Sequence, residues 1–167
     1  MRTGKKSLAT LAVLGAAAFG LFTGPGAQAA TATLYSAESF AGLCLQLRPA
    51  DQVLVQQDCL GTADQQFEFI SAGGGAYEIR DLGTGRCLEV KDASTAVDAG
   101  LVGALCGGLP HQRFQPVADA EGYVIHTVAG QCLDVKGGSE AAGAPIVQSE
   151  CTLAKESQQF AIEAIQP

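Results

Sequence analysis

The segment Cys132-Leu133-Asp134-Val135 occurs, in variant form, three times along the 167-residue chain. Each copy starts at a tyrosine, passes through this four-residue segment, reaches a second cysteine, and ends in glutamine, a variable residue and phenylalanine. In chain order the copies run through Tyr35, Cys44–Leu47, Cys59 and Gln65–Phe67; Tyr77, Cys87–Val90, Cys106 and Gln112–Phe114; and Tyr123, Cys132–Val135, Cys151 and Gln158–Phe160. An internal period of roughly 45 residues indicates a fold assembled from three equivalent units.

The first 30 residues have the pattern of a secretory signal peptide. A basic start is followed by the apolar run Leu8–Phe22 and by the small-residue sequence Ala27-Gln28-Ala29. This order of regions predicts cleavage near Ala29 or Ala30 and a secreted, extracellular mature protein. A membrane anchor is the alternative, but the apolar run is short for a spanning helix, which needs about 20 residues.

Residues 31–167 have the length of a single domain, and the copies divide it into repeats at about 33–73, 76–119 and 122–165. This part contains seven basic and 17 acidic residues, which is a net charge of −10. Such a charge argues against nucleic acid and anionic membranes as partners, because both require clustered Lys or Arg. We expect a monomer.

All six cysteines lie after residue 30, two in each repeat. Secretion permits disulfides, and the presence of one pair in each repeat removes most of the ambiguity among the 15 possible pairings. The expected bridges are Cys44 with Cys59, Cys87 with Cys106, and Cys132 with Cys151. No C-x-x-C motif occurs, and the only histidines are His111 and His126. We therefore expect no metal and no cofactor.

Short apolar stretches separated by Gly, Asp and Ser predict an all-β fold. Segments such as Cys87–Val90 and Gln159–Ile162 are typical of short strands, and Asp81–Gly85 and Thr127–Gly130 are typical of hairpin turns. About four strands in each repeat, or about twelve in all, predict a sandwich or a barrel. We expect the aromatic residues that recur in the repeats to form its core, namely Tyr35, Tyr77, Tyr123, Phe67, Phe114 and Phe160.

The three copies resemble the ricin-type lectin family. The family's strand segment matches Gly85–Val90 and Gly130–Val135 closely, and its terminal Gln-x-Trp is similar to the Gln-x-Phe of every copy. The resemblance covers essentially all of residues 31–167. It implies a β-trefoil of three pseudo-symmetric repeats and shallow pockets for galactose- or xylan-type glycans, one in each repeat. The chain contains no tryptophan, and the exchange to phenylalanine falls at a core position.

The family's sugar pocket has three parts, and the resemblance places residues at each. These are an acid in the strand, an aromatic two residues before the second cysteine, and an Asn before the Gln-x-Trp. The acid position holds Gln46, Glu89 and Asp134; the aromatic position holds Gln57, Ala104 and Ser149; and the Asn position holds Asp64, His111 and Ser157. No repeat retains the complete set.

The third repeat is the best preserved, because Asp134 is the family's acid and Gln158 matches the glutamine that orients it. Gln148, Ser149 and Ser157 are the further candidates for polar contacts there. In the second repeat Glu89 replaces the acid, with His111 nearby in the family geometry. The first repeat has Gln46 and a cysteine spacing shorter by four residues, so we expect it to be structural.

The sequence points to binding and not to catalysis. It lacks the Gly-x-Ser-x-Gly elbow and the His-Glu-x-x-His zinc motif. The favoured interpretation is a secreted, non-catalytic protein that binds galactose- or xylose-containing glycans weakly, mainly through the third repeat. The alternative is a degenerate trefoil that acts as a protein-interaction or protease-inhibitor scaffold without binding sugar, which rests on fold analogy alone.

Overall fold

The computed structural model describes residues 33–165, so the predicted signal peptide lies outside the described residues. This part contains twelve strands, as the sequence predicts. They are β1 Leu34–Ser39, β2 Cys44–Leu47, β3 Leu54–Gln57, β4 Phe67–Gly73, β5 Ala76–Asp81, β6 Cys87–Val90, β7 Leu101–Ala104, β8 Phe114–Ala118, β9 Tyr123–Thr127, β10 Cys132–Val135, β11 Ile146–Ser149 and β12 Gln159–Ile165. Its helices are single 3-10 turns at Ala63–Gln65, Lys91–Ala93, Pro110–Gln112, Lys136–Gly138 and Glu156–Gln158.

Six of the strands close a barrel. β1 pairs with β4, β4 with β5, β5 with β8, β8 with β9, β9 with β12, and β12 returns to β1, all antiparallel. The other six form three hairpins, β2–β3, β6–β7 and β10–β11. Bridges join these hairpins to one another, as at Val53 with Val102 and Gly100 with Val147. The hairpins therefore cap one end of the barrel, which is the β-trefoil architecture that the resemblance implies.

A glycine two residues before the first cysteine of each repeat makes the turn into each hairpin. Gly42, Gly85 and Gly130 have φ angles of 70°, 68° and 74°. These values lie in the left-handed region, where glycine is favoured because it has no Cβ. The sequence around the predicted hairpin turns thus specifies the start of the strands that carry the candidate site residues.

The phenylalanines of the three Gln-x-Phe segments form the core, as predicted. Phe67, Phe114 and Phe160 are 2%, 1% and 0% exposed and lie in one cluster with leucines and valines of the hairpins. The prediction for the tyrosines was only partly right. Each tyrosine pairs across strands with one of these phenylalanines, yet all three are half-buried. They lie at the barrel end away from the cap, where the packing opens to solvent.

The three predicted disulfides are present. Cys44 is bonded to Cys59, Cys87 to Cys106, and Cys132 to Cys151, with sequence separations of 15, 19 and 19. Each bridge ties the first strand of a hairpin to the loop that follows the second strand. Each bridge therefore holds in place the loop that leads from the second cysteine to the Gln-x-Phe segment.

Gly103 in the second repeat leaves room for the short β2–β3 loop of the first repeat. In the third repeat, Gln148 donates from Nε2 to the carbonyls of Ser94 and Ala96, and the equivalent Gln56 donates to a loop of the third repeat. Position 103 is the counterpart in the second repeat and holds Gly103, whose N–H bonds the carbonyl of Gln52 at 2.8 Å. The β2–β3 loop, which is four residues shorter than its counterparts, passes where a longer side chain would otherwise lie.

Among residues 33–165, no helix has the length and apolar character needed to cross a membrane.

Candidate functional site

The third repeat brings most of its predicted site residues together around one carboxylate. Asp134 in β10 is only 2% exposed. Its Oδ2 accepts hydrogen bonds from Gln158 Nε2 at 3.0 Å and from the hydroxyl of Ser149. Ser157, at the position before Gln158, is also buried beside it. Four of the five predicted residues of this repeat therefore form a single cluster.

Lys155 belongs to this cluster, although sequence reasoning did not select it. Its ammonium donates to Oδ2 of Asp134. The Asp134 side chain is 3% exposed and the Lys155 side chain is 41% exposed, so the lysine lies over the acid on the solvent side. The signal for it in the sequence is a basic residue three positions before the Gln-x-Phe glutamine.

The carboxyl group of Asp134 is held in its ionised form. Burial alone raises its pKa, but hydrogen bonds from Lys155, Ser149, Ser157 and Gln158 outweigh that effect and lower the pKa below its ordinary value. Its other oxygen, Oδ1, is buried without a hydrogen-bond partner in the described part of the chain. The site thus offers a negative acceptor that is surrounded by donors.

Gln148 does not join this cluster. It is fully buried and lies opposite Leu133 in the β10–β11 pairing, whereas Asp134 lies opposite Val147. Because neighbouring residues of a strand point to opposite faces, the Gln148 side chain is directed away from Asp134. Its amide instead joins the third repeat to the 94–96 loop of the second.

The second repeat contains a more open version of the same arrangement. Oε2 of Glu89 accepts a hydrogen bond from Gln112 Nε2 at 3.0 Å and lies 3.4 Å from His111 Nε2. The Glu89 side chain is 17% exposed and that of His111 is 23% exposed. Ala104 occupies the place of Ser149, so the carboxylate has no hydroxyl donor there. The predicted proximity of Glu89 and His111 is present.

In the first repeat, an amide takes the place of the strand acid of the other two clusters. Gln46 donates from Nε2 to Asp64 Oδ2 at 2.7 Å and accepts from Gln65 Nε2 at 3.2 Å. The acid of this repeat is Asp64, which lies directly before the Gln-x-Phe glutamine and not in the strand. Both groups of Gln46 are therefore satisfied within the protein, which leaves it little capacity for a ligand.

The Gln-x-Phe glutamine connects strand and loop in the same way in all three repeats. Gln158 Nε2 also donates to the carbonyl of Glu150 at 2.8 Å, and its Oε1 accepts from the N–H of Thr152 at 2.9 Å. Gln65 and Gln112 make equivalent bonds, and all three are about 1% exposed. The glutamine therefore fixes the loop after the second cysteine against the strand residue of the site.

An apolar depression lies beside the third cluster. It has a volume of about 220 Å³ and is lined by Gln158, Val117, Val124, His126 and Leu153, among others. Leu153 is 99% exposed on the loop after Cys151. Gln158 contributes to both the depression and the carboxylate cluster, so polar and apolar groups are adjacent at this surface.

Two groups of potential metal ligands occur in the described part of the chain. One contains His126 with Cys132 and Cys151, and the other contains Glu38 with Cys44 and Cys59. In both groups the cysteines are bonded to each other. A metal binds the thiolate and not the disulfide, so neither group is suited to hold a metal in this oxidised form.

Solved β-trefoil structures share the fold of this chain. The designed threefold-symmetric protein ThreeFoil superposes with a TM-score of 0.73 at 24% identity, covering 77% of this chain and 96% of that chain. An agglutinin from Rhizoctonia solani superposes with a TM-score of 0.70 at 15% identity, covering 80% of this chain and 96% of that one. These similarities establish the fold.

An exo-beta-1,3-galactanase from Clostridium thermocellum, 1,3Gal43A, also contains a similar region. The TM-score is 0.74 at 25% identity over 82% of this chain, and this chain spans only 31% of the enzyme's length. No curated protein sequence matches the chain significantly. The family described as ricin-type beta-trefoil lectin domain-like matches three overlapping segments, residues 21–104, 63–149 and 110–166. Together the three matched segments cover all of residues 33–165, and the chain therefore belongs to the ricin-type β-trefoil lectin-like family.

Proposed function

We propose that the protein is a secreted, monomeric and non-catalytic carbohydrate-binding protein whose principal sugar site is the third-repeat cluster. The observation that carries the proposal is the ionised Asp134 carboxylate, surrounded by donors from Lys155, Ser149 and Gln158, in a chain of a lectin-like family. Glu89 with His111 is the secondary site. The three disulfides fit an extracellular protein.

The chemistry of a sugar hydroxyl matches the Asp134–Lys155 pair. A hydroxyl is both a donor and an acceptor, so it can donate to Asp134 Oδ2 while it accepts from the lysine ammonium. Asp134 is covered in the free protein, and binding therefore requires Lys155 to swing outward. The half-exposed lysine lies at the end of a surface loop, directly after Ala154, where such a movement displaces no core residue.

Binding at this site is expected to be weak. Residues 57, 104 and 149 place no aromatic ring beside any of the clusters. A ring there would bury one sugar face of about 60 Å² and contribute about 1.5 kcal/mol. Its absence therefore lowers the affinity by about tenfold. Hydrogen bonds exchanged with water contribute only about 1 kcal/mol each. We expect a dissociation constant in the range of about 1 mM for a monosaccharide, and tighter binding of oligosaccharides that also contact the depression beside Gln158.

Galactosides are the first glycan class to test, and xylose-containing glycans are the second. The similarity to part of a galactanase favours galactose, although most of that enzyme lies outside the similar region. An NMR titration of the ¹⁵N-labelled protein with galactose, xylose and their oligomers would detect the site. We expect shifts at Asp134, Ser149 and Gln158, and smaller ones at Glu89.

A matched pair of variants distinguishes the two repeats. Asp134→Asn preserves the shape of the site but removes the charge, and Glu89→Gln does the same in the second repeat. We expect Asp134→Asn to abolish most of the shifts and Glu89→Gln to preserve them. Shifts that persist in Asp134→Asn, or that map to Gln46, would contradict the assignment to the third repeat.

The scaffold alternative has one observation in its favour. Each repeat has a largely exposed leucine within two residues of its second cysteine, and Leu60, Leu105 and Leu153 are 73%, 80% and 99% exposed. Contiguous exposed apolar patches mark protein contact surfaces, whereas single exposed leucines are common, so this alternative stays the second candidate. If no glycan on a broad array or in the titration perturbs the protein, this alternative replaces the lectin proposal.

A further inference from the structure

The open end of the barrel carries an aromatic pit that is separate from the three polar clusters. It is lined by two sets of threefold-related residues, which are Tyr35, Tyr77 and Tyr123, and Phe69, Pro116 and Ile162. The second set lies two residues after the phenylalanines of the Gln-x-Phe segments, on the same inward face of each strand. The pit therefore lies on the pseudo-threefold axis, where all three repeats contribute equally.

The walls of the pit are four aromatic rings and two apolar side chains. Tyr35 and Phe69 have ring centroids 5.1 Å apart at an interplanar angle of 67°, and Phe69 and Tyr77 are 5.9 Å apart at 65°. These edge-to-face contacts stabilise the rings in fixed orientations. All six residues are half-buried, so the pit is open to solvent.

The chemistry of these walls disfavours a sugar as the ligand. No charged or amide side chain lines the pit, and the tyrosine hydroxyls are the only side-chain groups that could form hydrogen bonds. A pyranose that entered it would lose water from several hydroxyls without regaining equivalent partners, which is costly. The same walls suit a cation that needs no hydrogen bonds.

We propose that this pit is an aromatic cage for a quaternary ammonium group, such as the trimethylammonium head of choline. The negative faces of aromatic rings attract such a cation, and a methylated nitrogen has no N–H to satisfy. Residues 31–167 carry 17 acidic and seven basic residues, so the field of the protein also favours a cationic ligand. This site is distinct from the proposed sugar clusters and does not depend on them.

The size of the pit agrees with a small head group. Its volume is about 200 Å³, whereas pockets for drug-sized ligands have volumes of about 300–1,000 Å³. A trimethylammonium group fits this space, and the remainder of a larger ligand would extend into solvent.

Tyrosine fluorescence provides a direct test, because the chain has three tyrosines and no tryptophan. All three tyrosines line the pit, so the intrinsic emission reports on this site alone. The full chain is titrated with choline chloride and tetramethylammonium chloride at constant ionic strength. The uncharged isostere of choline, 3,3-dimethylbutan-1-ol, and galactose are the comparison ligands. We expect saturable emission changes with both cations and at least about tenfold weaker binding of the alcohol.

Each other outcome overturns the proposal. Equal binding of choline and its uncharged isostere would show that the pit binds through apolar contacts and that the positive charge does not contribute to the affinity. A saturable response to galactose alone would show a sugar site, and the absence of any saturable response would show that the pit binds none of these ligands. NMR shifts at Ile162 and Phe69 on addition of choline provide a second measurement that needs no variant.

A pair of variants tests the role of the rings. Tyr123→Phe retains the aromatic face and loses only the hydroxyl, whereas Tyr123→Leu removes the ring. We expect Tyr123→Phe to bind choline within about twofold of the parent protein and Tyr123→Leu to bind about five- to tenfold more weakly. Equal losses in the two variants would mean that the hydroxyl holds the ligand and would contradict the cage. Circular dichroism confirms that both variants fold.

Discussion

The ammonium of Lys155 donates a hydrogen bond to Oδ2 of Asp134, and the lysine thereby covers the acid that we propose as the sugar ligand. The pair stabilises the third-repeat loop and controls access to the carboxylate. A sugar hydroxyl bound as we propose would compete with the lysine for the same oxygen. The strength of this ion pair therefore affects both the stability of the fold and the affinity of the proposed site.

Removal of Lys155 should make stability less dependent on acid pH. The pKa of Asp134 in the folded protein lies below its ordinary value of 3.8. Its ionised form therefore favours folding above that pH, and the contribution is lost as the pH falls through the lower, folded-state pKa. Lys155→Met removes one cause of the lowering. We expect it to cost about 1 kcal/mol at pH 7, because the lysine is partly exposed.

Urea unfolding at pH 7 and pH 2.5 would measure this effect. The difference in free energy of unfolding between the parent and Lys155→Met should become smaller at the lower pH, because protonation of Asp134 removes its attraction to the lysine. The matched control is Lys136→Met, because Lys136 is exposed and forms no ion pair within residues 33–165. An equal loss at both pH values would show that Lys155 acts through packing and not through its charge.

An aromatic residue in the second repeat should strengthen sugar binding there. Ser149 is a poor place for a tryptophan, because its hydroxyl already bonds Asp134 and Gln158. Ala104 occupies the equivalent position beside Glu89 and has no side-chain hydrogen bond to lose. We expect Ala104→Trp to tighten galactoside binding at Glu89 by about tenfold through stacking. NMR titration checks this, and Ala104→Trp/Glu89→Gln, which should lose the gain, is the control.

Truncation of a Gln-x-Phe phenylalanine should be strongly destabilising. Phe114 is 1% exposed in the central cluster, and buried phenylalanine-to-alanine changes cost about 3–5 kcal/mol. Thermal and urea unfolding of Phe114→Ala should show a loss of this size. Leu153→Ala, at a residue that is 99% exposed, should change stability by less than about 0.5 kcal/mol. Similar losses in the two variants would contradict the position of Phe114 in the core.

The glycine at position 103 should not tolerate a side chain. A Cβ there would lie 2.6 Å from Leu47 Cδ2 and 3.0 Å from Gln52 Oε1, and Leu47 is fully buried. We expect Gly103→Ala to cost about 1–3 kcal/mol through overpacking. Gly100→Ala is the matched control in the same hairpin, because nothing lies within 4 Å of a Cβ at that position. If both variants unfold at the same urea concentration as the parent, the first-repeat loop does not pass against Gly103.

Much of the fold could be predicted because the residues that specify each structural unit lie within a single repeat. The spacing of Cys132 and Cys151 within one repeat specifies a bridge, and the Gln-x-Phe segment specifies a buried ring and a loop anchor. These relationships join residues within one hairpin unit, so a comparison of the repeats along the chain is enough to find them. The strand acid and its glutamine partner, Asp134 and Gln158, could be identified for the same reason.

The sequence by itself therefore determined the threefold unit, the disulfide pairs, the Gln-x-Phe core, and the strand residue and Gln-x-Phe glutamine of each polar cluster. Only the tertiary structure decided that Lys155 covers Asp134, that Gln148 points to the second repeat, and that the tyrosines open to solvent in a pit. These outcomes depend on how loops fold back and on how the three repeats meet around the barrel axis. Closure of the barrel brings together side chains from different repeats, and no pattern within one repeat records those contacts.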